Sequence, residues 1–202
     1  MKLSYRIIIF IIAIFLCGLG IAASTQADLG TTPISSLPYV LTFMTPFSFG
    51  VTTIFINICF LIFQILLLRK NFRKVDYFQL LVTLFFGVFI DIGMHITAYF
   101  KSDIYICKLL LLIVGSAILA LGISLEVYAN LLYVPGEGLV KAISFKNKNF
   151  GKTKVLFDFS LCVLSIILSL AVLHKVEGLR EGTIISAILV GAFICLYKKL
   201  RI

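Results

Sequence analysis

Six long apolar segments decide most of what this chain can fold into. Apolar residues make up 61% of its 202 positions, and the mean hydropathy is +1.13, whereas a soluble domain is roughly 45–50% apolar. A helix needs roughly 20 apolar residues to cross a hydrocarbon layer about 30 Å thick. The sequence therefore predicts an all-α integral membrane protein with six transmembrane helices and little extramembrane chain. The predicted ranges are 7–25, 50–68, 77–99, 104–128, 153–174 and 182–198.

The positions of the cations predict how these helices are oriented. The formal charge is +9, and cytoplasmic segments of membrane proteins carry an excess of Lys and Arg. We expect a bacterial cytoplasmic membrane protein with both termini in the cytoplasm and the lipid bilayer as its partner, so the charge requires no nucleic acid. The opposite side receives only Lys101, Lys108, Lys175 and Arg180. The expected cytoplasmic cations are Lys2, Arg6, Arg69, Lys70, Arg73, Lys74, Lys141, Lys146, Lys148, Lys152, Lys154, Lys198, Lys199 and Arg201.

The sequence of the first half recurs in the second. Three spans per copy is an odd number, so the copies must enter the membrane from opposite sides, an arrangement that recurs in secondary transporters. We predict a single membrane domain with one repeat in residues 1–100 and an inverted repeat in residues 101–202. At a spacing of 102, Leu19-Gly20-Ile21 matches Leu121-Gly122-Ile123, Ala27-Asp28-Leu29 matches Ala129-Asn130-Leu131, Pro33 matches Pro135 and Leu37 matches Leu139. Small shifts then align Gly50 with Gly151, Asn57 with Asp158 and Gly87 with Gly191.

An interrupted segment follows the first span of each copy. Gly30 permits a sharp turn, Thr32 is a candidate helix cap and Pro33 suits a first helical turn. The chain from there through Ser35 to about residue 44 is too short to span and too apolar for an open loop, so we predict a half-helix or re-entrant piece. Pro135 begins the second copy. Two helix N-termini facing inward would favour an anionic group between them; the alternative is an interfacial loop that only connects spans.

Three carboxylates lie inside predicted spans, where an ionisable group usually faces the bundle interior or a partner. Asp91 and His95 are four residues apart and share a helix face. They are candidates for a proton relay, a static hydrogen-bonded pair or, for His95, an interfacial position. Glu126 lies near a helix end and either faces the interior or extends towards water.

Asp158 is the third of these acids and occupies the position that Asn57 takes in the first copy. It is a candidate coupling acid, and Lys154, one turn earlier, is its candidate structural ion-pair partner. Glu137 lies outside the spans between two glycines, which leave room for close approach. We therefore predict that Glu137 contacts a ligand.

Enzyme and cofactor signatures are absent from the sequence. There is no phosphate-binding Gly-rich loop, no Gly-x-Ser-x-Gly turn and no cluster of metal ligands. The five cysteines fall singly within predicted spans, as expected of small packing residues. We expect no catalytic activity, no cofactor and no metal.

Several residue blocks resemble the bacterial YczE/YyaS/YitT-like membrane protein family over nearly the whole chain. This chain has Ile34-Ser35-Ser36 where such sequences have a Trp-Asp or similar pair, and it resembles the short form without a soluble C-terminal domain. The resemblance implies a six-helix bacterial membrane protein and no particular substrate. Its most specific blocks are Ala-Asp-Leu-Gly-Thr-Thr-Pro at 27–33 and Pro-Gly-Glu-Gly at 135–138, joined by Ser-Phe-Gly at 48–50, Asp91, Glu126, Gly-Lys at 151–152, Phe-Asp at 157–158 and Glu-Gly-Thr at 181–183.

The leading functional prediction is a small secondary transporter or permease, with protons or cations as candidate coupling ions and a small, in the leading case anionic, solute. The alternative is a non-transporting accessory or substrate-capture subunit of a larger complex, and an intramembrane enzyme is a distant third. A homo-oligomer or a membrane-complex partner fits either of the first two. The predicted substrate- or ion-binding residues are Thr32, Pro33, Ser35, Asn57, Asp91, Glu126, Pro135, Glu137 and Asp158.

Overall fold

The computed structural model describes residues 2–147 and 149–199, and in this part of the chain the regular structure is entirely helical. Six of the helices are long and apolar enough to cross a membrane, which confirms the six predicted spans. Lys148 and Arg201, two of the expected cytoplasmic cations, lie outside the described residues. The helices are α1 (Leu3–Gln26), α2 (Ser36–Thr42), α3 (Phe49–Leu68), α4 (Gln79–Ala98), α5 (Tyr105–Ala129), α6 (Pro135–Asn147), α7 (Phe150–Leu173) and α8 (Glu181–Lys199), with 3-10 turns at Pro33–Ser35, Arg69–Asn71 and Lys74–Phe78.

Polar residues set several of the helix ends. The hydroxyl of Ser48 accepts the Val51 N–H at 3.2 Å and caps α3, while the side chain of Asn149 accepts the Lys152 N–H at 3.1 Å and caps α7. After α1 and α5 the chain turns through Asp28 and Asn130, which have φ angles of 55° and 46°. Asp and Asn tolerate this left-handed backbone better than most residues. Both long helices therefore end in the same way, at positions 102 residues apart.

The centre of the bundle is an antiparallel pair, α1 against α5. A β carbon on Gly20 would lie 2.5 Å from the backbone nitrogen of Leu119, and one on Gly122 would lie 2.8 Å from the backbone nitrogen of Cys17. Residue numbers rise along one helix as they fall along the other at these contacts, so the helices run in opposite directions. Glycine is needed here because the two backbones approach closely, as is usual at contacts between membrane helices.

The other helices pack around this pair in two groups. α4 lies against α1 and α8 lies against α5, while α2, α3, α6 and α7 form a second group in which α3 also contacts α4. The second group has its own apolar core of Leu37, Phe60, Leu139 and Leu161. Many large apolar side chains on the outer faces of the long helices are exposed, as expected where lipid replaces water.

Candidate functional site

The two short helical segments meet near the middle of the second group. Pro33 begins the first segment as a 3-10 turn that continues into α2, and Pro135 is the first residue of α6, as the sequence predicts. A β carbon on Gly136 would lie 2.7 Å from Cδ1 of Ile34. The side chain of Ile34 therefore fills the contact between the two N-termini, where the sequence suggested an anion.

The hydroxyl-bearing residues of the first segment are buried. Thr32 stands at the cap position of the 3-10 turn, but its side chain makes no capping bond, and its buried hydroxyl has no hydrogen-bond partner among the described atoms. Ser35 is buried beside it. The hydroxyl of Ser36 donates to the carbonyl of Pro33 at 2.7 Å and lies 3.0 Å from the hydroxyl of Ser165 on α7. This serine pair joins α2 to α7.

The corresponding part of the second half carries an ion cluster. The ammonium of Lys154 lies 2.7 Å from Oε1 of Glu137 and 3.3 Å from Oδ1 of Asp158. All three side chains are largely buried, and they join the start of α6 to α7. Two carboxylates share one cation, so the cluster has a formal charge of −1. The acid predicted for ligand contact and a predicted coupling acid therefore lie side by side, and the suggested pair of Lys154 with Asp158 is present.

Asn57, the counterpart of Asp158, lies in a neutral and buried environment. Its side-chain nitrogen has no hydrogen-bond partner among the described atoms. At the same spacings, Ser35 corresponds to Glu137 and Thr53 to Lys154. The acidic character of the second half is thus absent from the equivalent positions of the first.

Glu126 is buried, with 3% of its surface exposed. Its Oε1 accepts the backbone N–H of Val134 at 2.9 Å. The alternative that this side chain extends towards water is therefore wrong, because the bond holds it under the loop between α5 and α6. No described cation lies within 4.0 Å of the carboxylate, so it is one of the few buried acids without an ionic partner.

Asp91 anchors one helix to another. Its carboxylate accepts the hydroxyl of Ser48 at 2.6 Å and the N–H of Gly50 at 2.7 Å, and so joins α4 to the N-terminus of α3. A negative charge at a helix N-terminus is favourable. No hydrogen bond or ion pair joins Asp91 to His95 among the described atoms, so the relay geometry considered from their spacing is not formed here.

A cavity of about 230 Å³ opens between α3, α4 and α6, and several polar side chains line it. Its wall includes Gln64, Gln79, Tyr133 and Lys141, which are not among the site residues predicted from the sequence. The sequence does carry a signal for two of them: Gln64 and Gln79 are the only glutamines inside the second and third predicted spans, 50–68 and 77–99. Asn71, Arg73 and Asp76 complete the polar part of the wall.

Two ion pairs include a group, Asp28 or Arg73, that lies outside the spanning helices, and each pair shifts the pKa of that group. Lys108 donates to Asp28 at 2.7 Å, and this hydrogen bond lowers the pKa of Asp28 from its ordinary value of 3.8. Arg73 donates to Asp76 through two nitrogens, at 2.7 and 3.0 Å, and this bonding raises the pKa of Arg73.

Near the N-terminus of α1, the guanidinium of Arg6 donates to the carbonyl of Ala129, at 2.8 Å, and to that of Asn130. The sequence predicts only a role in membrane orientation for Arg6. It also satisfies carbonyl groups that the end of α5 leaves without helical partners.

Comparison with known proteins gives a family without an assigned activity. Residues 4–199 match a family of unknown function, DUF6198. The chain belongs to this family. No curated protein and no solved structure matches the chain. The narrower YczE/YyaS/YitT-like resemblance stays a prediction.

Proposed function

We propose that this member of DUF6198 is a secondary transporter or permease for a small solute in a bacterial cytoplasmic membrane. In this proposal its two halves are inverted repeats, both termini are cytoplasmic, and α2 and α6 are re-entrant. Two kinds of observation support the proposal. Some contacts of the first half are repeated about 102 residues later in the second half, and other contacts are made in only one half.

Contacts at the two ends of the α1–α5 pair support the inversion. Arg6 donates to Asn130 at one end, and Lys108 donates to Asp28 at the other. The two cations are 102 residues apart, and so are their two partners. An interface with twofold symmetry has this property, in which residue i of one copy contacts residue j of the other, and j contacts i.

The middle of the same interface follows the same rule. Gly20 packs on Leu119, and the equivalent residues Gly122 and Cys17 pack on each other. If both helices cross the bilayer, their antiparallel contact means that the two halves begin on opposite sides.

The observation that carries the proposal of transport is a break in this symmetry. Gly50 and Gly87 bring α3 and α4 into backbone contact, and a β carbon on Gly87 would lie 2.7 Å from the carbonyl oxygen of Gly50. Their counterparts, Gly151 on α7 and Gly191 on α8, are apart. Nothing described lies within 4 Å of a β carbon on Gly191, and only the side chain of Asn149, at 4.0 Å, approaches one on Gly151.

A second pair of matched contacts shows the same difference, closed in one half and open in the other. Ser36 and Ser165 are hydrogen-bonded between α2 and α7. Their counterparts are Gly138 and Gln64, which border the open cavity between α6 and α3. The closed contacts belong to the side that we assign to the exterior, and the open ones to the side that we assign to the cytoplasm.

We infer that the halves exchange these two arrangements. In the opposite state α7 and α8 would close on Gly151 and Gly191, while α3 and α4 would separate. Rocking of inverted repeats around a shared site is a common route to alternating access. Asp91 is a candidate coupling acid in this scheme, because its protonation would remove the charge that holds the N-terminus of α3. Asp158 is the other, since it belongs to the ion cluster on the open side.

The experiment uses the space beside Gly191. Gly191→Leu adds a side chain where the described state has room, but where the opposite state would have α7. We expect full expression and thermal stability with loss of solute uptake, whereas Ala192→Leu, on the exposed face of the same helix, should retain uptake. The solute comes from comparing metabolite uptake in cells that lack or overproduce the protein, followed by uptake into proteoliposomes. Uptake by Gly191→Leu at the wild-type rate would refute the exchange, and a wild-type protein that moves no solute in either assay would refute transport.

The alternative is a substrate-capture or accessory subunit, and the same uncovered positions favour it: Gly151 and Gly191 are exposed, and a helix of a partner protein would cover them. Purification in mild detergent with native lipid distinguishes the two functions. Stoichiometric recovery of an ATPase or synthase complex, lost in Gly191→Leu, would support the accessory function. Topology has a separate test: reporters fused near Tyr39 and near Phe145 should lie on opposite sides of the membrane.

A further inference from the structure

The cavity between α3, α4 and α6 contains two buried amides whose carbonyl oxygens have no partner. Gln64 and Gln79 are 4% and 1% exposed, and neither Oε1 accepts a hydrogen bond from any described atom. Buried polar atoms are nearly always hydrogen-bonded to protein or to ordered molecules, because an unpaired one costs roughly 1–3 kcal/mol. The protein supplies neither oxygen with a donor, and both side chains line the cavity.

Gly138 brings these two oxygens to one place. They lie 2.8 and 3.0 Å from the position that a β carbon on this residue would take. Both amides therefore pack closely around Gly138, where a β carbon would displace them. Both glutamines also line the same cavity, so one small molecule there can contact both.

The charge of the cavity wall is set by Lys141. Arg73 is neutralised by its two-point contact with Asp76. The ammonium of Lys141 lies 4.2 Å from the centre of the Tyr133 ring, and no described carboxylate lies within 4.0 Å of it. The wall thus offers one uncompensated positive charge beside two hydrogen-bond acceptors.

We propose that this cavity binds a small hydroxylated monoanion. Its negative charge would face Lys141, and its hydroxyl groups would donate to Gln64 and Gln79. A cavity of about 230 Å³ is large enough for a small organic solute, since a single water needs only about 10–15 Å³ by the same kind of measure. A hydroxycarboxylate and the glycerol headgroup of an anionic phospholipid both have this chemistry.

This inference adds the class of solute to the proposed function. It rests on that function only where it takes the bound molecule to be the transported solute. The cavity lies on the open side of the bundle, where a transporter in this state would accept or release its solute.

The first test measures binding to the full chain in lipid-free detergent micelles by isothermal titration. The probes are sodium D-glycerate, glycerol, which lacks the charge, and sodium propionate, which lacks the hydroxyls. We expect glycerate to bind at least tenfold more tightly than either analogue, because a site built around hydrogen-bond groups rejects ligands that leave them unpaired. A parallel arm adds phosphatidylglycerol to the micelles, and binding of that lipid alone would identify the headgroup as the hydroxylated monoanion.

Variants then assign the binding to the cavity. Gln64→Met, Gln79→Met and Lys141→Met should each weaken binding of the active probe at least tenfold. Gln26 is the matched control, since it is the only other glutamine and bonds instead to the carbonyl of Met94. Gln26→Met should leave the affinity unchanged.

Unfolding of the ligand-free variants separates a ligand contact from a structural role. Replacing an unpaired buried carbonyl with a thioether of similar shape should leave the melting temperature equal or higher. A clear loss of melting temperature in both Gln64→Met and Gln79→Met would show that these amides are structural and would overturn the proposal. It would also be overturned if neither glycerate nor phosphatidylglycerol bound, or if binding survived all three cavity substitutions.

Failure of the site and failure of transport give different results. Glycerate that binds through the two glutamines, but does not cross proteoliposomes, would leave the site standing and refute the transporter. Transport of glycerate at equal rates by wild type, Gln64→Met and Gln79→Met would retain the transporter and refute the site.

Discussion

A matched pair of substitutions, Gly87→Ala and Gly191→Ala, tests the asymmetry on which the proposed function depends. The two glycines, in α4 and α8, are counterparts in the proposed repeat. In an unbroken repeat they would respond alike. In this structure we expect them to respond in opposite directions.

The expected magnitudes follow from the space around each residue. A β carbon on Gly87 would lie 2.5 Å from Cγ1 of Ile54 and 2.7 Å from the carbonyl oxygen of Gly50. The first contact can relax by side-chain rotation, but the second is with backbone and requires α3 and α4 to separate. Overpacking costs about 1–3 kcal/mol, with the upper part of that range expected here, and the helix propensity of Ala returns about 1 kcal/mol. Gly87→Ala should therefore lower the free energy of unfolding by about 2 kcal/mol.

Gly191→Ala meets no such obstacle, because nothing described lies within 4 Å of the added carbon. The helix-propensity gain should raise the free energy of unfolding by up to about 1 kcal/mol. The matched variants should thus differ by about 3 kcal/mol. Since the chain has no Trp, the assay is loss of helical circular dichroism during titration of mixed micelles with sodium dodecyl sulfate. Equal effects at the two positions would refute the assignment of a closed α3–α4 contact and an open α7–α8 cleft.

Three further substitutions test the polar contacts. Lys154→Met leaves the carboxylate of Glu137 without its cation and should lower the free energy of unfolding by about 3 kcal/mol, as when one partner of a buried pair is removed. Asp91→Asn removes the charge at the start of α3 and should cost about 1–2 kcal/mol. Lys108 lowers the pKa of Asp28 from its ordinary value of 3.8. Their pair should therefore stabilise the fold above pH 3.8 and lose this contribution as the pH falls through the lowered pKa. Asp28→Asn should reduce the free energy of unfolding at pH 7 by less than about 1 kcal/mol, since the pair is exposed.

Each of these variants is compared with its own control, and unfolding of both is measured by loss of helical circular dichroism. For Lys154 the control is Lys152→Met on the same helix, and equal losses would contradict the ion cluster. For Asp91 it is His95→Ala, and a larger loss there would favour the relay over the anchor. For Asp28 the comparison is the pH profile from 3 to 7, and a wild-type profile that coincides with that of Asp28→Asn would exclude the pair.

Much of the fold could be predicted because membrane helices have a strong local signal. Twenty apolar residues have few other stable structures in lipid, so the spans were found within a few residues of their ends. Pro33 and Pro135 likewise mark helix starts through their own backbone geometry. These features depend on short stretches of chain.

The candidate site was predicted less well because it depends on long-range pairing. Asp158 is predicted from its position inside a span and Glu137 from its flanking glycines, but their shared contact with Lys154 requires α6 to pack on α7. The relay of Asp91 and His95 was suggested by helix periodicity, whereas Asp91 instead bonds to Ser48 and Gly50 across 43 and 41 residues of sequence. Periodicity indicates which residues share a face, and it does not indicate what that face meets.

The sequence by itself determined that the protein is a bundle of six spanning helices, and it suggested two related halves with more acid in the second. Only the tertiary structure decided which equivalent contacts are made: Gly50 meets Gly87, while Gly151 and Gly191 stay apart. The physical reason is that local sequence preferences are similar at matched positions, and these preferences do not determine which helix each position meets. The contacts depend on packing between helices distant in the chain, and that packing places the cavity beside Gln64 and Gln79.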